Sequence, residues 1–457
     1  MKDHIRDILN DVQAEYAEIR LEKAQDSRIA YTGPELEDCS QNVNFGGNVR
    51  VLYKGAWGFT TFNSIDELEE KCTLATSHAK SLGDRLHKPF KLAEVPILDV
   101  DVPLDVKSNP LSIPLSKKIE IMNSYNRIVL DFDKMITTSS VFYFDRQRKV
   151  TFANSEGTYI SRESVDLAFA VSAIVNNPEG THFGYCSQGS SNDFDVVLNR
   201  EKDIINTCKG TIETSQANVV DAGKYTVILD PRLAGVFIHE AFGHLSEADI
   251  LYEDPNMKKV MVLGRQFGVP ELNVADSGHE IGNRGYLPYD DEGVATQKTY
   301  LIKDGKLVGR LHSRETASKM NEKPTGNARA ITYAFPPIPR MRTTMIEKGK
   351  VSFDEMVSQT PNGLYCISAR GGETNGELFT FTAMEAFMIR DGKIAEKVRD
   401  VTLSGNVFDT LKNIDMIGND YLAEDGPGGC GKRGQMPLST SEGSPHIRIQ
   451  NVIVGGK

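Results

Sequence analysis

The sequence predicts an α+β protein on three observations. Helix-period and strand-period segments alternate through the first half, Asp-Gly hairpin signals recur in the second, and one apolar helix interrupts the strands there. The expected architecture is an N-terminal α/β-type domain of helices on a sheet, residues 1–215, followed by a C-terminal domain of curved, mostly antiparallel β-sheet with an inserted helix, residues 216–457. Two domains are expected because 457 residues exceed what one hydrophobic core usually serves.

In chain order, Ile5, Ile8, Leu9, Val12 and Tyr16 recur at helical spacing, and AEIRLEKA and SRIAYTG then alternate as strands do. A second helix starts at NSIDEL, where Ser64 and Glu67 have capping-box spacing, and runs to about Gly83. Between Lys88 and Ser116 five prolines disfavour helix, so residues 88–116 are expected to be extended and to wrap the surface, held by Phe90, Leu92, Val95, Ile97, Leu98 and Val100. A third helix follows from Ser116 to about Leu130. Strands then flank a turn at NSEG (154–157), and two hairpins centre on Asp304-Gly305 and Asp391-Gly392.

Composition excludes several classes. Hydrophobic residues at 39% and charged residues at 25% are ordinary globular usage. A formal charge of −11 repels phosphate backbones and anionic lipid, so neither nucleic acid nor membrane is an expected partner. The N-terminus has no continuous apolar run of the kind a secretory signal needs, and six scattered cysteines read as reduced thiols; the expected compartment is the cytoplasm.

The inserted helix carries the chemistry. Asp230 is a plausible N-cap, Pro231 fits the first turn, and RLAGVFIHEAFGHLSEADI continues as a buried apolar helix containing HEAFGH. Two neutral imidazoles can hold Zn²⁺ if they converge, but a five-residue spacing puts His239 and His244 about 140° apart on a regular helix. A widened, π-type turn restores convergence, so a distortion is predicted between Phe242 and Leu245, eased by Gly243. Glu240 stands where a carboxylate can take a proton from a zinc-activated water without ligating. Burying two histidines and a carboxylate among Phe237, Ile238, Phe242 and Leu245 costs several kcal/mol unless they are partnered, which favours a metal over unpaired core residues.

A catalytic zinc needs a third protein ligand and an open position. Glu247, Asp249, His279, Cys366 and Cys430 are candidates. Cys430 lies in GPGGCGKRGQ, where glycines permit close backbone approach and Lys432 can favour a thiolate; Glu247 equally suits an outer position, orienting an imidazole. GPGGCGK also matches the start of a phosphate-binding loop, but Arg433 lacks the Mg²⁺-binding hydroxyl and the next residues cannot open a helix.

These segments resemble the TldD/PmbA family, historically named modulators of DNA gyrase and understood as metallopeptidases. The resemblance runs through VRVLYKGAWGFTTF (49–62), HEAFGHLSEAD (239–249), YDDEGVATQKTYLIKDGKLVGRLHSRETA (289–317), TGNARA (325–330), GGETNGELFTF (371–381) and GGCGKRGQMPLSTSEGSPHIRI (428–449). The retained HExxxH pattern marks a TldD-like member, whereas PRMRTT (339–344) departs from the family's usual asparagine near the second threonine. The resemblance implies one Zn²⁺ per chain on His239, His244 and Cys430, with Glu240 as general base. It also implies a peptidase of short or unfolded polypeptides, acting as a homodimer or as a heterodimer with a PmbA/TldE-like subunit. The competing expectations are a non-catalytic chaperone or assembly subunit with a structural metal, and an amidohydrolase of non-peptide substrates. GGETNGELFTF is the candidate sheet edge for an extended substrate, and 276–286 and 322–330 are candidate lids or plain surface loops.

Overall fold

Helices lie on sheets in both halves of the chain. The computed structural model describes residues 1–86 and 90–455. Its first part runs α1 (Lys2–Asp11), β1 (Tyr16–Thr32), β2 (Glu35–Tyr53), β3 (Ala56–Phe62), α2 (Leu68–Gly83), β4 (Asp99–Val102), α3 (Leu115–Leu130), β5 (Thr138–Asn154), β6 (Tyr159–Asn177), β7 (Gly180–Ser190) and α4 (Glu201–Gln216). The strands form one sheet in the order β3-β2-β1-β5-β6-β4, with β7 also paired to β6. The predicted capping box is present at Ser64 and Glu67, one short turn before α2.

Two expectations need correction here. The helical period through Tyr16 is not followed, because α1 stops at Asp11 and Tyr16 opens β1. Tertiary packing overrides the period: the Tyr16 hydroxyl donates to Glu18 at 2.7 Å and its ring stands edge-on to Trp57 at 6.0 Å. In the proline-rich stretch, Lys88 and Pro89 lie outside the described residues. The remainder is extended and adds β4 parallel to β6, but Ile97 turns outward, 65% exposed, and contributes no burial.

Strand β1 is buried on both sides, for different reasons. Ala17, Ile19 and Leu21 pack with Ile5, Leu9 and Ala75 in an apolar core. The alternate residues Glu18, Arg20 and Glu22 are buried among charges. Arg20 reaches Asp291 at 3.2 Å, Arg50 reaches Glu18 at 2.8 Å and Glu292 at 3.4 Å, and Arg162 pairs with Asp291. The sheet is thereby joined to the second part of the chain by ions.

That second part starts with β8 (Asn218–Val219), β9 (Gly223–Leu229) and α5 (Pro231–Ile238). Five strands, Asn362–Asn375, β9, Ile447–Gly455, Thr402–Asn406 and Leu378–Arg390, pair in succession, and the first pairs again with the last, closing a ring. All pairings in it are antiparallel except that of β9 with Asn362–Asn375. A six-stranded sheet that includes Val274–Ser277, Thr343–Ile346 and Ser441–Ser444 lies beside it. Both Asp-Gly pairs adopt the positive φ that their tight hairpins demand: 50° and 74° at Asp304-Gly305, 50° and 71° at Asp391-Gly392.

Helix α5 packs against the ring. Asp230 caps it, accepting from the Leu233 N–H at 2.9 Å, and Phe237 packs edge-on against Phe379 at 5.5 Å and Phe381 at 6.0 Å. The expected single long helix is interrupted at Glu247, whose backbone is extended (ψ 115°). The cause is a bridge to Leu311: its N–H donates to Ser246 O at 2.8 Å, and Ala248 N–H donates to Leu311 O at 3.0 Å. A further short helix, Ala248–Glu253, resumes in a new direction.

The candidate sheet edge and one of the two candidate lids also have defined places. Phe379 and Phe381 are core residues of a strand paired on both sides over Leu378–Thr382, so the open side of that hairpin within this chain is Gly371–Asn375. Thr325–Ala330 is buried scaffold, neither lid nor surface loop: Asn327 donates to Asp276 at 2.7 Å and to Arg340 O at 3.0 Å. Among the described residues, no helix is long and apolar enough to cross a membrane.

Candidate metal centre

Two structural units bring the donors together. At the end of α5 the chain widens into a π turn over His239–Gly243, where His244 N–H bonds to His239 O five residues back. The turn begins three residues earlier than predicted. Gly243 is not there for backbone freedom, since its φ of −58° is ordinary helix. It is there for space: a Cβ would meet Met341 Sδ at 2.1 Å. The wider turn sets the two imidazoles with ring centres 5.3 Å apart and planes at 89°.

Cys430 comes from the second unit, a hairpin of Cys430–Lys432 with Gln435–Leu438. The segment that resembled a phosphate loop is therefore strand and turn, with no helix after it. Cys430 Sγ lies 3.4 Å from His244 Nε2, and donor atoms of His239, His244 and Cys430 all lie within 4.8 Å of one another. With zinc bonds of about 2.0–2.3 Å, two ligands of a tetrahedral site sit about 3.5 Å apart, so this spacing fits. Two imidazoles and one thiolate are also donors of the softness that zinc takes.

The other sequence candidates lie elsewhere. His279 Nε2 bonds Thr296 O at 2.8 Å. Cys366 is fully buried in the apolar core, which pushes its thiol well up. Asp249 takes a 2.7 Å bond from Lys432. Glu247, with no exposure at all, lies 3.0 Å from His244 Nδ1 and 3.1 Å from Lys432. Glu240 lines the cavity beside His239 and Cys430.

Electrostatics bind the cluster together. Burial disfavours charge on both imidazoles, yet the Cys430 sulfur raises His239 to about 9, and Glu247 with Cys430 raises His244 well above its usual value. Burial pushes the Cys430 thiol up, but its contacts with both histidines outweigh this and bring it down to about 6. Glu247 is likewise driven up by burial and more strongly down by Lys432 and His244, to about 2. Lys432 is thus directed at Glu247 and Asp249, while the imidazoles, rather than Lys432, favour the thiolate. Such a donor set could hold a divalent cation, with release of the protons its histidines and thiol carry.

Several contacts had no signal in the sequence. Arg340 donates to Cys430 O at 2.6 Å and Glu442 Oε1 sits 3.2 Å from His239 Nδ1. The PRMRTT segment therefore clamps the site: Arg340 holds the Cys430 strand, Pro339 O accepts from Lys432 at 2.8 Å, and Met341 fills the space at Gly243. A cavity of about 390 Å³ opens in front of the cluster. Its walls are His239, Glu240, Cys430 and Glu442 on one side and Ala170, Ser172, Tyr185 and Ser187 of the N-terminal sheet on the other.

Comparison with known proteins follows the same layout. Residues 17–79, 108–214 and 222–456 match, in that order, domain 1, the central domain and the C-terminal domain of PmbA/TldA metallopeptidases. The chain belongs to the PmbA/TldD metallopeptidase family. It is 42% identical to a metalloprotease of Synechocystis, over 97% of this chain and 95% of that one. It is 30% identical to the zinc metalloprotease TldD homolog of Saccharolobus solfataricus, over 98% of each. Its fold is that of TldE from Thermococcus kodakarensis, with a TM-score of 0.77 at 17% identity and 100% of both chains covered.

Proposed function

We propose that this protein is a zinc-dependent peptidase in which His239, His244 and Cys430 hold one Zn²⁺ per chain and Glu240 is the general base. The observation that carries the reading is the convergence of those three donors, two of which, His239 and Cys430, line one cavity with Glu240. The relatives' names, metalloprotease and zinc metalloprotease TldD homolog, support it. Zinc, when bound, supplies Lewis acidity for a peptide carbonyl and a lowered pKa for water.

The chain's own residues do the rest. Glu247 fixes the tautomer and direction of His244 through Nδ1, leaving Nε2 for the ion, and Lys432 neutralises the buried charge that this requires. Glu442 Oε1 faces His239 Nδ1 at 3.2 Å and favours a positive imidazole there by charge, without a hydrogen bond. Glu240 takes the proton of the attacking water and returns it to the leaving amine, so no covalent acyl intermediate forms. The substrate is a short or unfolded polypeptide, whose backbone lies along the cavity with little demand on sequence. The working unit is a dimer, either of this chain or with a PmbA/TldE-like subunit, located in the cytoplasm, and the chain divides into two folding units at about residue 215.

Glu240→Ala tests the reading. Expected are unchanged zinc content and melting temperature with cleavage of an unfolded peptide reduced by about 10²–10⁴-fold. Cleavage at the wild-type rate would leave the metal a structural role and remove the peptidase mechanism.

A further inference from the structure

A second cavity, of about 230 Å³, opens on the same face of the N-terminal sheet as the metal cavity. Pro427 lines both. Residues of equal parity along a strand share a face. On β6, Ala170 and Ser172 wall the metal cavity while Ser164 and Asp166 wall the second one. At about 3.3 Å per residue, Asp166 and Ala170 are about 13 Å apart. That is the reach of about four residues of an extended peptide lying over the sheet.

The charge of this second cavity runs against that of the molecule. The chain carries a formal −11, yet five arginines (Arg28, Arg146, Arg148, Arg284, Arg329) and only two acids (Asp26, Asp166) line the space. Two of the arginines are committed to the scaffold. Arg284 grips both oxygens of Asp166 at 2.6 and 3.0 Å, and Arg329 donates to Met341 O and to Ser439 O. The other three are held less firmly. Arg146 Nε is buried with no hydrogen-bond partner among the described residues, Arg148 spends one Nη on Ile331 O at 2.9 Å and reaches only at 3.7 Å the Glu22 that Arg20 holds at 2.8 Å, and Arg28 lies over the Phe142 ring. Burial, then the neighbouring Arg148, lowers the Arg146 pKa against the opposing pull of Asp26, Asp166 and Glu22. Phe142, Phe144, Val165, Leu287, Ile331 and Leu438 supply apolar wall between the charges.

An apolar pocket with guanidinium forks suits a carboxylate on a hydrocarbon stem. Its volume is below the range of about 300–1,000 Å³ usual for a drug-sized ligand, which favours a single side chain or chain end over a nucleotide.

We infer that this cavity is a subsite for a carboxylate of the substrate, held by Arg28, Arg146 and Arg148 about four residues from the scissile bond. The subsite rests on the peptidase reading for its substrate, and gives that peptidase a preference for acidic or carboxyl-terminal segments. The carboxylate has two sources, an Asp or Glu side chain or the free C-terminus.

The test uses the full-length, zinc-loaded protein and unfolded peptides with one Glu or Gln four residues to either side of the cleaved bond, each made as free acid and as C-terminal amide. A kcat/KM higher by about tenfold for Glu than for Gln, with acid and amide equal, assigns the subsite to a side chain; the reverse pattern assigns it to the chain end. Arg146→Gln should collapse the ratio toward one, Arg146→Glu should place Lys peptides above Glu peptides, and Arg28→Gln should weaken the preference in a protein whose changed side chain is exposed. Equal rates across the whole peptide set with the wild-type protein, or a ratio unmoved by Arg146→Gln, overturns the subsite. Binding of the same labelled peptides to Glu240→Ala, followed by fluorescence anisotropy, separates this inference from the one it rests on. A carboxylate preference in Kd without any cleavage by the wild-type protein removes the peptidase reading and keeps the subsite. Equal Kd values remove the subsite whatever the rates.

Discussion

The two halves of the candidate metal cluster are held by different physics. His239 and His244 ride on a helix whose apolar side, Leu233 and Phe237, is buried against the five-stranded ring, so their position follows from non-directional packing around a dry core. Cys430 rides on a short hairpin held by directional bonds: Arg340 to its carbonyl, Lys432 to Glu247 and Asp249, and Arg284 to the carbonyls of Gly426 and Gly428. Packing tolerates small shifts and resists large ones; a set of buried ions and donors fails as soon as one member is lost. The helix half should therefore fail by unfolding and the hairpin half by losing the ion.

Four substitutions can break or sharpen that contrast. The largest effect is expected from Cys430→Ser, which should abolish stoichiometric zinc in elemental analysis while far-UV circular dichroism stays native. Full retention of zinc would separate Cys430 from the ion. Phe237→Ala opens the helix half and should cost about 3–5 kcal/mol in denaturant unfolding, with zinc still bound by the fraction that remains folded. Glu247→Gln keeps the shape but removes the charge that orients His244, and a loss of about 10–100-fold in zinc affinity is expected in competition with a chelator. The smallest effect concerns Asp425, beside the hairpin. Its burial raises the carboxyl from its usual range to about 7. Between about pH 4 and 7 the folded state then holds a proton that the unfolded state has released, so this group takes stability away as pH rises. Asp425→Asn should melt progressively higher relative to wild type from pH 5 to pH 8, by a few degrees at most; a constant offset would remove Asp425 as the cause.

What the sequence made legible follows the same divide. Local features were readable because their causes are local: the Ser64–Glu67 box, the Asp230 cap with Pro231, both Asp-Gly turns, and the need for a widened turn between two histidines five residues apart. Contacts set by distant partners were not. Tyr16 joins β1 because Trp57 and Glu18 await it, and the helix bends at Glu247 because Leu311 claims the neighbouring backbone. Arg340 and Glu442 look like ordinary surface charges in the sequence, and only the fold puts them against Cys430 and His239. Gly243 had the right place and the wrong reason, since the pressure on it comes from Met341, almost a hundred residues away.

Strand β1 offers a last lesson in alignment. Over Ala17–Glu22 its odd residues meet hydrocarbon and its even residues meet counter-ions, so sliding it past β5 by one position would drive Glu18, Arg20 and Glu22 into oil and strand the opposing guanidiniums. Many flat strands can slip and recover; this one has a single admissible setting. Deleting one residue from the Ala17–Glu22 run should thus scramble the assembly of both halves.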